Sequence, residues 1–157
     1  MKKIAIAAAF VAATAATAAH AQTAEQTVGF DVQAISQIAF TGSPDLVISA
    51  ATAGSAPTSA TGSATYAITT NELNQKVTAQ IDEAMPSGVT LSVVLAAPTG
   101  GTSAGTVQLG TTAQDVVTDI ATVNQSGLSV GYTLAATVAA GVVSGSRTVT
   151  YTITAGV

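Results

Sequence analysis

The sequence predicts an all-β fold: an antiparallel two-sheet sandwich of immunoglobulin-like or jelly-roll type, eight to nine strands, preceded by a helical signal peptide. Three observations lead to it. Beyond the leader, apolar residues recur with period two almost everywhere. The alternation is one-sided, so each strand has one face for a core and one for water, the signature of antiparallel sheets. About 136 residues follow the leader, enough for one domain with a core, and two one-sided sheets must cover each other.

The N-terminus reads "MKKIAIAAAFVAATAATAAHAQ", with Lys2 and Lys3 ahead of an apolar run and small residues closing at Ala19, His20 and Ala21. That is the pattern of a Sec-type signal peptide over residues 1–21, so the mature chain is expected to begin at Gln22 and to be exported to the cell surface, the medium or the periplasm. No second apolar run of spanning length follows, so no membrane insertion is expected after cleavage.

Residues 22–36 read as an N-terminal extension or first strand, and residues 37–157 as the sandwich domain. Val28, Phe30, Val32 and Ala34 share one parity, Ser36 interrupts it, and Ile38 and Phe40 resume it. The thirteen residues from Val28 to Phe40 would span roughly 43 Å at about 3.3 Å each, more than twice a typical strand. Two pieces hinged near Ala34, Ile35 and Ser36 are therefore expected. The second belongs to its own sandwich, and the first is a candidate donor strand for the opposite sheet or for a neighbouring molecule.

Further strands follow from the same alternation. "DLVIS" places Leu46 and Ile48 on one face, and a Gly/Ser/Pro/Thr-rich connector leads to "ATYAITT" with Tyr66 and Ile68. "NELN" reads as a turn before "QKVTAQID", and the two flanking runs look like a hairpin. "GVTLSVVLAAP" aligns Val89, Leu91, Val93 and Leu95, and "GTVQLGT" adds Val107 and Leu109. "AQDVVTDIATV" is ambiguous, since Val116, Val117 and Ile120 would suit a helical turn while the β-branched content favours a strand or an irregular crossover. "GLSVGYTLAATV" and "RTVTYTIT" close the chain with Leu128 to Val138 and Val149, Tyr151 and Ile153. A transmembrane barrel also alternates, but five aromatics and no Trp in the mature chain supply no aromatic girdle.

Composition excludes more than it assigns. Removing Lys2 and Lys3 takes the formal net charge from −4 to −6 and leaves Lys76 and Arg147 as the only cations. Two cations cannot neutralise a run of phosphates, so no nucleic-acid partner is expected. The sole histidine leaves with the leader, and no cysteine is present. Nucleophilic catalysis then lacks its usual base, and transition metals lack their usual ligands. Paired carboxylates could still cleave a glycoside, but the aromatic platforms such sites need are scarce. The chain is expected not to be an enzyme, to need no cofactor, and to fold without a disulfide framework.

Several local features admit both a functional and a plainer reading. Asp115 and Asp119, four apart on a strand, are weak candidates for Ca²⁺ ligands. Intervening Val116 and Val117 favour solvated edge charges instead. Asp82 and Glu83 read as a turn rather than a ligand pair. Lys76 lies on the parity opposite Val77, Ala79 and Ile81 and should point outward. Asn124-Gln125-Ser126 matches an N-glycosylation acceptor, a pattern common by chance. The loop "APTGGTSAG" could meet a polysaccharide through its hydroxyls or serve as a connection.

The leader, the hydroxyl-rich alternating domain, the apolar segment following cleavage, and a closing "TVTYTIT" strand with a late Tyr resemble exported bacterial pilin-like and surface-fibre subunits. The resemblance spans most of the mature chain, although many such pilins carry a disulfide that this chain lacks. It implies a cell-surface structural role in which the N-terminal segment of one subunit completes the sandwich of the next. The partner would be a second copy of the chain, joined through Val28, Phe30, Val32 and Ala34. A monomeric secreted module for polysaccharide or another surface is the alternative from a different class.

Overall fold

A computed structural model describes residues 22–156 of the chain. The signal peptide expected over residues 1–21 lies outside the described residues. The chain divides into two units, Met1–Val32 and Gln33–Val157, and every strand among the described residues belongs to the second.

Among the described residues nine strands form two antiparallel sheets, as expected of a two-sheet sandwich. They are β1 (Ser36–Thr41), β2 (Ala60–Thr70), β3 (Gln75–Ile81), β4 (Val89–Leu95), β5 (Thr102–Ser103), β6 (Val107–Gln108), β7 (Gln114–Ile120), β8 (Val123–Ala136) and β9 (Val149–Ala155). One sheet has the order β1-β2-β8-β4-β6 and the other β5-β7-β3-β9. From β2 onward every successive strand lies in the opposite sheet. Both sheets keep free edges, so the strands do not close into a barrel.

Alternation drives this arrangement. In β3 the odd positions Gln75, Val77, Ala79 and Ile81 are buried, and in β4 Val89, Leu91, Val93 and Leu95 are buried. Apart from Gln75 and Val89, these side chains form one core between the sheets with Tyr66, Ile68, Val116, Val117, Ile120, Leu128 and Val130. Burying each large apolar side chain contributes roughly 1.5 to 3 kcal/mol, which is how a disulfide-free chain of this size holds together.

Two expectations need correction. The runs around "NELN" are not a hairpin: β2 pairs with β1 and β8, whereas β3 pairs with β7 and β9 in the other sheet. The turn at residues 71–74 is an arch between sheets, and Asn74 takes φ 54° to make it, a left-handed conformation that Asn tolerates better than most residues. "DLVIS" is not a strand, although Leu46 and Ile48 are half-buried beside exposed Val47. The ambiguous "AQDVVTDI" is a strand, β7, as its β-branched content favours, and its pairing with β3 shifts register twice. Those shifts bury Val116 and Val117 side by side and break the period that the sequence would otherwise show.

Candidate functional site

On one side of the sandwich the two sheets are unequal. β1 is the edge of the five-stranded sheet, and its inward side chains Ile38 and Phe40 are only half-buried. β9 is the edge of the four-stranded sheet, and Val149, Tyr151 and Ile153 are half-buried too. The Phe40 and Tyr151 rings stack across the gap with centroids 3.9 Å apart and an interplanar angle of 16°. Beside that contact a groove of about 870 Å³ opens toward one end of the domain. Its apolar floor includes Leu91, Tyr132 and Leu134, with Leu46 and Met85 at the flanks.

The free edge of β9 carries its own unmet hydrogen-bonding capacity. Asp82 N donates to Thr148 O at 3.1 Å and Gly156 N to Asn74 O at 2.6 Å, so even-numbered positions of this stretch bond toward β3. In an antiparallel ladder the alternate residues turn their main-chain groups the other way. The N–H and C=O of Val149, Tyr151 and Ile153 therefore face the open edge, on the same residues whose side chains are incompletely covered. Together these make an edge at which main-chain groups and apolar side chains are both uncovered.

Aromatic side chains line the seam. Phe40 stacks on Tyr66 at 5.4 Å as well as on Tyr151. Tyr66 donates its hydroxyl to Ala96 O at 2.5 Å, and the Tyr132 and Tyr151 hydroxyls share a hydrogen bond at 2.7 Å. Burial pushes the Tyr66 phenol up to about 12. Burial, and then the bond with Tyr132, raises the Tyr151 phenol well above its usual value. The Tyr66 and Tyr151 hydroxyls therefore stay protonated at neutral pH.

The end of the groove is tied by the loop residues around Arg147. Its guanidinium donates to Ala84 O at 2.9 Å and to Ser146 O at 2.7 Å, with Glu83 at 3.9 Å. Desolvation opposes ionisation of Asp82, but the amides of Thr148 and Glu83 donate to its carboxylate, each at 3.0 Å, and hold it below the ordinary range. Asp82 and Glu83 thus act as a turn, with Arg147 as the second partner, a role for Arg147 that its isolated position in the sequence does not signal.

Val28, Phe30 and Val32 are 75%, 95% and 76% exposed, and Ala34 is exposed as well. None of the four lies in a strand, and regular pairing begins at Ser36. Phe30 is the one fully exposed aromatic among the described residues, since Phe40, Tyr66, Tyr132 and Tyr151 all line the seam. Asp115 is engaged by Lys76 at 3.1 Å, and Asp119, at φ 58°, accepts a hydrogen bond from Thr118. Among the described residues no group of three or more His, Cys, Asp or Glu could hold a metal ion, so the two aspartates have no third acidic partner.

Two of the three hydroxyls of the loop "APTGGTSAG" are hydrogen-bonded within the domain, while Thr102 is exposed. Thr99 donates to Gln125 Oε1 at 3.2 Å and Ser103 to Leu95 O at 2.6 Å. Among the described residues no helix is long and apolar enough to cross a membrane. Comparison with protein-family models, with curated proteins and with solved structures finds no match to this chain.

Proposed function

We propose that this protein is a non-catalytic, exported structural subunit that joins copies of itself into a surface fibre by β-strand addition. Residues 28–34 of one copy would lie along the free edge of β9 in the next, beneath Ile38 and Phe40. One observation carries the reading. Three large apolar side chains at alternate positions are each at least 75% exposed, in a chain whose sandwich lacks a strand beside β9.

Energetics explain why both parts are needed. Burying Val28, Phe30 and Val32 would contribute roughly 1.5 to 3 kcal/mol each. Association costs about 4 to 15 kcal/mol, so side chains alone would leave a weak joint. A new main-chain ladder to Val149, Tyr151 and Ile153 adds the remainder, as strand addition does generally. The asymmetry of donor and acceptor also predicts open chains rather than closed dimers, because a head-to-tail contact propagates unless its rotation closes.

Electron microscopy and light scattering of the mature chain test this directly. Filaments are expected from the full mature chain, and a folded monomer from a chain lacking residues 22–32, because all nine strands lie in the remaining unit. Phe30→Asp should likewise stop assembly without unfolding the domain. A full chain that stays monomeric at every concentration, with the shortened chain unfolded, would place the segment in its own core and overturn the proposal.

A further inference from the structure

Asn71 makes an unusual set of bonds at the point where the N-terminal segment enters the sandwich. Its side chain accepts from Ile35 N at 2.7 Å and donates to Gln33 O at 2.8 Å, while its main-chain N donates to Ile35 O at 3.1 Å. One residue at the end of β2 therefore extends the β1–β2 ladder past Ser36, imitating two residues of a partner strand. Next to it Ser36 Oγ donates to Glu72 Oε2 at 2.7 Å and bonds to Thr70 Oγ1 at 2.9 Å. This polar pair accounts for the serine that breaks the apolar parity between Ala34 and Ile38.

The position of this cluster matters more than its strength. The 71–74 loop that holds Gln33 and Ile35 also receives Gly156 N on Asn74 O, so the start of β1 and the end of β9 lie at one pole. The groove is bordered by residues 42–46 and 143–149, which follow β1 and lead into β9. Those residues are the opposite pole. For residues 28–34 to lie along β9 of their own domain, the chain would have to reverse between Gln33 and Ser36 and run parallel to β9. Parallel pairing is slightly weaker per residue than antiparallel. More importantly, the Asn71 bonds hold Gln33 and Ile35 in line with β1 and leave no room for that reversal.

We propose that Asn71 is a positioning residue that commits the N-terminal segment to a second copy of the chain by preventing its return into its own groove. This rests on the strand-addition reading, and it adds the device that chooses between partners. Residues before Gln33 are the portion available for donation, and they leave from the pole remote from the groove mouth. A monomer so built keeps its acceptor open until another molecule arrives.

The test uses the full mature chain, unfolded in urea and refolded, as wild type and as Asn71→Ala. Assembly is followed by light scattering, and chymotrypsin cleavage after Phe30 reports whether the segment is covered. Wild type should form filaments, while Asn71→Ala should divert at least half of the protein into folded monomers whose Phe30 bond resists cleavage at least tenfold over that of a denatured control. Asn71→Asp keeps the acceptor for Ile35 N and loses the donor to Gln33 O, so it should fall between the two and covers the case in which the alanine variant does not fold. Filaments formed by both variants at the wild-type rate and yield would overturn the role of Asn71. So would monomers cut at Phe30 as fast as the denatured control. If wild type does not assemble, or assembles equally well without residues 22–32, strand addition itself fails, which separates that failure from one confined to Asn71.

Discussion

The tyrosine hydroxyls at the seam donate only when protonated: the Tyr132–Tyr151 bond joins the two sheets, and Tyr66 ties β2 to Ala96 just after β4. Tyr66 and Tyr151 are both raised from the ordinary phenol value of 10.0, Tyr66 to about 12. Below pH 10 the phenols are protonated in folded and unfolded chains alike, so they add no pH dependence. As pH rises past 10 the unfolded chain sheds protons that the folded chain retains, and stability falls until the folded values are reached. Thermal melts of the chain lacking residues 22–32 should therefore give a constant midpoint from pH 7 to about 9 and a steep decline between about pH 10 and 12. Tyr151→Phe should flatten part of that decline, and a midpoint independent of pH across this range would contradict the buried phenols. The parity of "GYTLAA" and "TVTYTIT" makes the inward direction of Tyr132 and Tyr151 legible in sequence. Their mutual hydrogen bond is not legible, because it joins strands from opposite sheets, and nothing local records which sheet a strand joins.

At the scale of elements, legibility tracks regularity. β3, β4 and β9 alternate without interruption and can be read to within a residue or two. β8 continues through a register shift where Gly127, at φ 71°, supplies the extra residue, and its apolar parity changes there from Val123 to Leu128. The stretch 42–59 fails for another reason: Pro44 and Leu46 lie against β2 through side chains, while its only paired residues form an isolated bridge between Ala51 and Pro57. Gly62 of β2 permits that approach. A Cβ added there would sit 2.5 Å from Pro44 Cβ and 2.8 Å from Leu46 Cδ2, so the 42–46 segment would have to lift. Gly62→Ala should cost about 1 to 3 kcal/mol, in the range of overpacked sites. It should also widen the groove mouth, since Pro44 and Leu46 line it. Urea unfolding would show the loss. A variant as stable as wild type would mean that the segment moves freely and does not border the groove as described.

For the molecule as a whole, the pairing pattern and the open edge have a common consequence. With each strand after β2 placed in the sheet opposite its predecessor, almost every ladder joins residues far apart in sequence. Such chains must close long loops before contacts reward them, and they fold on the millisecond to second scale or slower. During that time the free edges of β1 and β9 are available for pairing with other molecules. The sequence displays strand count and facing, but not this ordering, because alternation specifies which face is buried and never which neighbour is hydrogen-bonded. Completing the seam should thus stabilise the folded state without changing its structure. On the strand-addition proposal, a peptide of residues 24–34 should bind only the folded form of the chain lacking residues 22–32, and at a hundredfold excess over its dissociation constant it should raise stability by about 2.7 kcal/mol. For a domain of this size that corresponds to a melting midpoint higher by roughly 5 to 15 °C. The same peptide with Phe30→Asp loses its largest anchor and should leave the midpoint unchanged. Equal shifts from the two peptides would mean that the added strand is held by backbone pairing alone, with Phe30 taking no part in the joint.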